Sequence, residues 1–296
     1  MKTKNEKARK SYLVWAPPYD NSAGGIVVLH RLAVELQARG EDVWINTEYQ
    51  NKRWDYVATF SVEPDGSLFF HSTGGFGEKP IAIYPEIVSG NPFNAKTVVR
   101  YLLNIPGKCS PDYSSTWAPD DILYTYSRLY NEKLNLPEDR VMFIPQFDLS
   151  IFYDQHLPRS GRLVYHGKDR RPDDPMLKHL PCIGGKEDHK GETGQKILSA
   201  KLNRCELLYN YDNCSAITDI ARLCGCPVAI IPDGSYTREE GKLSESFSVG
   251  GIGIGLEEAP IARDTIDSNK MALFYESAEL KFQWALSDFI EFTQNA

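Results

Sequence analysis

The sequence predicts an α/β protein built of two nucleotide-fold domains, and three observations predict it. Strand-like apolar runs alternate with helix-like amphipathic segments, the pattern of parallel sheets covered by helices. The chain has 296 residues, too many for one ordinary core and enough for two of roughly 100–150 residues each. The alternation stops between Pro145 and Arg162, where Pro145, Pro158, Ser160 and Gly161 break any period, and then restarts. This interruption sets a first domain over 1–155 and a second beginning at 156.

In the first domain, Tyr12–Trp15 is a short strand ending at Ala16-Pro17-Pro18. A helix from about Gly25 to Ala38 follows, with Ile26, Leu29, Leu32, Ala33 and Leu36 at helical spacing and Gly40 as the stop. Asp42–Thr47 is the next strand, and short strands are expected around Tyr56–Val62 and Leu68–His71. Ile81–Tyr84 reads as a strand, 95–104 as a helix, and Ile122–Thr125 and Val141–Ile144 as strands. In the second domain the expected strands are 163–166, 180–183, 206–211 and 227–231. Helices are expected over 193–202, 216–223 and much of 264–292, the last with Phe274, Tyr275, Phe282, Trp284 and Phe289 on its apolar face.

With 42% apolar and 25% charged residues the chain has an ordinary globular composition. Its net charge of −7 argues against a surface built to hold nucleic acid. Lys2, Lys4, Lys7, Arg9 and Lys10 cluster at the start; the plain reading is a solvated terminus, the sharper one a handle for anionic lipid or nucleic acid. No apolar segment follows that could serve as a signal or a span, so the expectation is a cytoplasmic protein, peripheral to the membrane at most. Cysteines at 109, 182, 205, 214, 224 and 226 lack zinc spacing and read as buried reduced thiols.

Open α/β sheets bind ligands at the carboxyl ends of their strands, so the segments there are the candidates for chemistry. Between the first strand and first helix lie Tyr19, Asp20 and the Gly24-Gly25 pair, whose amides at a helix start suit a phosphate or sugar. After the second domain's first strand, Lys168, Arg170 and Arg171 suit a diphosphate, whose charge grows as it departs. The run Tyr211-Asp212-Asn213-Cys214-Ser215-Ala216-Ile217 is a polar turn into a short helix, with Ser215 as N-cap and an anion site behind it. Asp219, one turn on, is placed to bind a ribose diol.

Glu86 and Asn94 flank a glycine-containing turn, with Asn94 as N-cap of the helix expected after it. Lys96 and Arg100 then fall one turn apart, facing an acceptor or solvent. Tyr19, Asp20, Glu86, Asn94 and Arg100 are the acceptor-side candidates. The glycine-rich run 250–255 lacks full dinucleotide spacing and reads as a strand or loop. No catalytic triad order and no zinc motif is legible, and Asp120-Asp121 and Asp173-Asp174 read as solvated loop charges rather than metal-diphosphate ligands. No metal and no cofactor is expected.

The Gly24-Gly25 loop, the Tyr165–Lys168 start of the second domain, the Tyr209–Val228 block and the stretch 84–107 together resemble the GT-B glycosyltransferases. The likeness is to the retaining glycogen-synthase-like and mannosyltransferase-like families of bacterial polysaccharide loci. The resemblance implies two Rossmann-like domains facing a cleft, a nucleotide-sugar-binding domain over 156–270, and a helix over 271–296 packing back on the first domain. It implies a nucleotide-diphosphate sugar as donor, a hydroxyl on a glycan or lipid-linked glycan as acceptor, and no metal. It places Lys168 on the diphosphate and Asp219 on the ribose. The family's pair of glutamates has no match here; its earlier position falls on Tyr211, beside Asp212, which makes Lys168 and Asp212 the catalytic candidates. Rival readings are a transferase acting on modified bases of nucleic acid, a nucleotide-sugar 2-epimerase, and a binding subunit without turnover. The oligomeric state is not legible.

Overall fold

In the computed structural model of the chain the described residues are 9–46, 58–62, 68–72, 80–167, 177–184, 191–212, 215–232, 239 and 244–296. They divide into two units, Met1–Asp20, Gly25–Ile144 and Lys281–Ala296 in the first, and Asn21–Gly24 and Pro145–Leu280 in the second. Each is a Rossmann-like α/β unit.

The first unit holds a sheet of β1 (Tyr12–Trp15), β2 (Val43–Asn46), β3 (Ala58–Val62), β4 (Leu68–Ser72), β5 (Ile81–Tyr84), β6 (Thr97–Leu102) and β7 (Ile122–Thr125). Their order is β4-β3-β2-β1-β5-β6-β7. The five strands from β2 to β7 in that order are parallel, and β3 and β4 extend the edge antiparallel. Strands β1 and β5 are buried along both faces, which is why they read as apolar runs without alternation. Helix α1 (Gly24–Ala38) covers the sheet with Val28, Leu29, Leu32, Ala33 and Leu36. The short helix α2 (Arg128–Lys133) begins at Ser127, whose Oγ accepts from the Leu129 amide.

The helix expected over 95–104 is strand β6 instead. Ala95, Val98, Val99 and Leu102 fit a helical period, but Thr97-Val98-Val99 is a β-branched run that packs better on a pleated surface. Asn94, expected as an N-cap, is exposed with φ 50°, and the Asn91 side chain closes the preceding turn by bonding both the amide and the carbonyl of Ala95. Of the strand expected over 141–144 only an isolated bridge between Val141 and Thr125 forms.

The second unit holds β8 (Arg162–Tyr165), β9 (Cys182–Ile183), β10 (Leu207–Asn210), β11 (Val228–Ile230) and β12 (Ile252–Ile254), in the order β12-β11-β10-β8-β9 and parallel throughout. The glycine-rich run thus supplies the edge strand β12. Helices α3 (Gly191–Asn203), α4 (Ile217–Leu223) and α5 (Ala259–Thr265) precede the long final helix α6 (Ser268–Asn295). The break after Ile144 is not a loose tether. Phe152 is buried, Ser199 Oγ donates to Ile151 O, and Asn203 Oδ1 accepts from the Gln155 amide.

The last turns of α6, from Lys281 on, belong to the first unit. Phe282, Leu286 and Phe289 join its main core, Phe289 meets Tyr124 edge-on at 5.0 Å, and Tyr12 Oη lies 2.7 Å from Thr293 Oγ1. Burying each such phenylalanine contributes roughly 1.5–3 kcal/mol. Trp284 does not share this face and is 71% exposed. The thiols also divide: Cys205, Cys224 and Cys226 are buried, Cys109 and Cys182 are exposed, and Cys214 lies outside the described residues.

Candidate functional site

In an open parallel sheet the ligand crevice forms where the strand order reverses direction, outside the carboxyl ends. In the second unit the chain runs from β8 outward to β9 and then returns to place β10 on the other side of β8. The reversal point is therefore flanked by residues 166–167 on one side and by residues 211–212 and 215–216 on the other.

These segments are tied together. The Tyr211 amide donates to Tyr165 O at 3.0 Å, continuing the β8–β10 ladder by one step. The rings of His166 and Tyr211 stack at 5.6 Å, 20° from parallel. Ser215 Oγ donates to Tyr165 Oη at 3.2 Å. Gly167 has φ 69°, and a Cβ there would lie 2.4 Å from Asp212 Cβ. Only glycine permits both the left-handed turn and this approach. Asp212 is 7% exposed, and its own amide is held by Asn210 Oδ1 at 2.8 Å.

The residues leading into α4 depart from a plain capped helix. Ala216 occupies the cap position and makes no side-chain cap bond, while Ser215 Oγ reaches the Ile217 amide only at 3.4 Å. Ser215 is thus divided between the helix start and Tyr165. Ile217 is buried as packing and presents no side chain to a ligand.

Asp219 is the centre of a polar hub. Its Oδ1 accepts from Arg222 Nη2 at 2.5 Å and from Ser246 Oγ at 2.8 Å, and its Oδ2 accepts from Tyr275 Oη at 2.5 Å. Arg222 is fully buried and also donates to the carbonyls of Ser246 and Gly250 at 2.9 Å. The hub joins α4, the turn before β12 and α6. Of about four lone-pair positions on a carboxylate, three are engaged here.

The first sheet reverses between β1 and β5, because β2 lies on one side of β1 and β5 on the other. Tyr19, Asp20 and Glu86 follow those two strands. Tyr19 is half exposed, lies edge-on to His30 at 5.2 Å, and its phenol is pushed up by partial burial, with the Asp20 charge adding. His30 Nε2–H donates to Pro17 O at 2.8 Å, and burial lowers its pKa. Glu86 is 4% exposed and accepts from the Leu103 amide at 2.9 Å, so it pins the end of β6.

Arg100, expected on a helix face near an acceptor, is fully buried inside this end of the sheet. Its Nε donates to Asp121 Oδ2 at 2.7 Å, its two Nη atoms reach Val88 O and Gly90 O, and it lies over the rings of Tyr84 and Trp117. Asp121 is accordingly no solvated loop charge. Lys96 is exposed. Gly24 and Gly25 form the first turn of α1, where a Cβ would meet Gln146 Oε1 at 2.6 Å and Leu103 Cδ1 at 3.2 Å respectively.

Lys168, Arg170, Arg171, Asn213, Cys214 and the pair Asp173-Asp174 lie outside the described residues. The structure adds Tyr165, His166 and Gly167 to the second unit's site, and Asp121 and Trp117 to the support of the first. The tyrosine, histidine and glycine stood beside Lys168 in the sequence; Trp117 and Asp121 carried no local signal. Among the described residues no group of three or more His, Cys, Asp or Glu side chains is placed to hold a metal, and no helix is long and apolar enough to cross a membrane.

No family profile and no curated protein matches the chain. Among solved structures it is similar to a functionally uncharacterised protein of Klebsiella pneumoniae, at 13% identity over 79% of this chain and 87% of that one, with a TM-score of 0.41. It is similar to the glycosyltransferase SnogD from Streptomyces nogalater, at 12% identity over 97% and 100%, with a TM-score of 0.40. It is likewise similar to the wall teichoic acid polymerase TagF, at 10% identity over 96% and 89%, with a TM-score of 0.42.

Proposed function

We propose that the protein is a glycosyltransferase that moves a sugar from a nucleotide-diphosphate donor to a hydroxyl acceptor. The acceptor in this reading is a glycan or lipid-linked glycan, and the transfer is metal-independent with retention at the anomeric carbon. The observation that supports it best is the closure of Gly167 on Asp212 at the reversal point of the second sheet. It brings the backbone just before Lys168 against the position nearest the family's missing glutamate.

In this reading Lys168 and Arg170 neutralise the diphosphate, Asp212 faces the sugar, and Ser215, Ala216 and Asn213 border the nucleotide. Asp219 reaches a ribose hydroxyl through the lone pair that its hub leaves. The acceptor oxygen bonds to the anomeric carbon as the bond from that carbon to the diphosphate oxygen breaks. The departing phosphate takes the acceptor proton, so no separate base is required. The positive charge near the diphosphate stabilises what develops on it, which is where such sites gain most of their rate.

Thermal shift with UDP, GDP, dTDP, ADP and CMP and their common sugars tests the donor site. A nucleotide at 100 times its Kd contributes about 2.7 kcal/mol to folding. One diphosphate is expected to raise Tm selectively, with the rise lost in Lys168→Ala and reduced in Asp212→Asn. If no nucleotide stabilises the folded protein, the reading is wrong. Conversion of a donor sugar to its epimer with no acceptor present would instead make the protein an epimerase.

A further inference from the structure

We propose that the imidazole of His166 binds the diphosphate of the donor and that the ring of Tyr211 holds it for this contact. The role rests on the transfer reading. Strand β8 ends at Tyr165, so His166 is the first residue past its carboxyl end, at the point where the sheet order reverses. Open parallel sheets present ligand-binding groups there. Val164 and Tyr211 belong to one core cluster with Leu207 and Tyr209, and Tyr211 is buried. Its ring is therefore packing rather than a ligand contact. That ring carries the half-buried His166 ring, 5.6 Å away and 20° from parallel. The platform is itself fixed, because the Tyr211 amide donates to Tyr165 O at 3.0 Å. An imidazole already ordered in this way loses little freedom when a ligand arrives, which favours binding.

The surroundings favour an anion. Past His166 the chain continues through Gly167, which brings no side chain, to Lys168, Arg170 and Arg171. Imidazolium, ammonium and guanidinium share one ligand chemistry, the charge-assisted bond to a phosphate or carboxylate oxygen. The donor of the transfer reading supplies the phosphate. Of the three groups, only imidazole ordinarily changes its charge between about pH 5 and 8. The other titratable groups at this end of the sheet, among the described residues, are Tyr165, Tyr211 and Asp212 beside it and Glu257 and Glu258 after β12. Asp212 lies against Gly167, and Glu258 accepts from the Ile254 amide at 2.9 Å. In the transfer step the His166 ring keeps its proton. The bond from the anomeric carbon to the diphosphate oxygen breaks, its electrons and the acceptor proton go to that oxygen, and the ring N–H stabilises the charge that develops.

Titration calorimetry of UDP-glucose, GDP-mannose, dTDP-glucose and ADP-glucose into the intact chain, from about pH 8 to about pH 5.5, tests the contact. A nucleotide sugar is the probe because its diphosphate, esterified at both ends, has no ionisation of its own in this range. The one that binds is expected to do so about tenfold more tightly at the acid end, as imidazolium forms. His166→Phe keeps a ring on Tyr211 and removes the N–H, so it should abolish that gain with far-UV circular dichroism unchanged. His166→Gln, which keeps a donor without a charge, should bind with one affinity across the range. Tyr211→Leu removes the platform and should reduce the gain. No gain in the parent, or the same gain in His166→Phe and His166→Gln, overturns the role and leaves the transfer reading standing, with His166 a cap on the core. Binding of none of the four removes the donor site, and the role of His166 with it.

Discussion

Arg100 and Asp121 form an ion pair, Nε to Oδ2 2.7 Å, in which the side chains are only 1% and 6% exposed. Arg100 also carries the turn after β5 on its guanidinium, through Val88 O and Gly90 O. Removing Asp121 leaves a buried guanidinium without its counter-charge, which costs about 3–5 kcal/mol. Asp121→Asn should therefore lower stability to chemical denaturation by that order. Arg100→Lys should cost nearly as much, because an ammonium cannot reach both carbonyls and the carboxylate in one plane. Denaturation midpoints close to the parent's for both variants would show the pair to be dispensable.

The Asp219 hub separates a structural role from a ligand-binding one. Tyr275→Phe removes the donor to Oδ2 and nothing that a nucleotide would touch. Losing one hydrogen bond to a charged group costs about 1.5–3 kcal/mol, and nucleotide binding, measured by titration calorimetry below the new Tm, should be preserved. Asp219→Asn strands the buried Arg222 and should destabilise more. If Asp219→Asn folds as well as the parent and loses only nucleotide affinity, the ribose role outweighs the hub.

The sheets were legible because buried parallel strands such as β1, β5 and β10 read as unbroken apolar runs between turn residues. Strand β6 was not, since Ala95, Val98, Val99 and Leu102 satisfy a helical period equally well, and only pairing with β5 and β7 decides. Arg100 misled for the same reason: a lone arginine gives no local sign that Asp121, Tyr84 and Trp117 will enclose it. The glycine of the Tyr165–Lys168 run and the acid of the Tyr211–Ser215 run were each visible, but their contact depends on a β8–β10 register that no local pattern encodes. Asp219 was visible as an acid one turn into a helix, while its partners lie 27 and 56 positions further along the chain. Trp284 reads as core because aromatic residues on a helix usually are, yet its position around α6 falls outside the buried face of Phe282, Leu286 and Phe289.

His30 gives a pH dependence with a definite sign. Burial lowers its pKa from 6.5 and the Pro17 carbonyl opposes the shift without cancelling it. The folded state therefore binds its proton less readily than the unfolded state does. The stability that His30 contributes is complete above pH 6.5 and is lost as the pH falls below that value through the lowered folded pKa. In urea titrations stability should fall across this window. His30→Gln, which keeps a donor for Pro17 and cannot be protonated, should flatten that part of the profile. A slope unchanged in the variant would assign the titration elsewhere.

Gly167 tests the candidate site without reference to any ligand. Alanine there meets two obstacles: φ 69° is unfavourable for a side chain, and the new Cβ would sit 2.4 Å from Asp212 Cβ. The backbone conformation alone costs about 1–3 kcal/mol. The clash adds to it unless the turn shifts, which would pull His166 from Tyr211 and misplace Lys168. Gly167→Ala should lower stability by at least the backbone cost, and the double variant with Asp212→Gly should recover the steric part and leave the backbone part. The two changes should thus be non-additive by about 1 kcal/mol or more in a double-mutant cycle. Additive effects would mean that Gly167 and Asp212 do not touch in solution, and the approach on which the proposed donor site rests would then be absent.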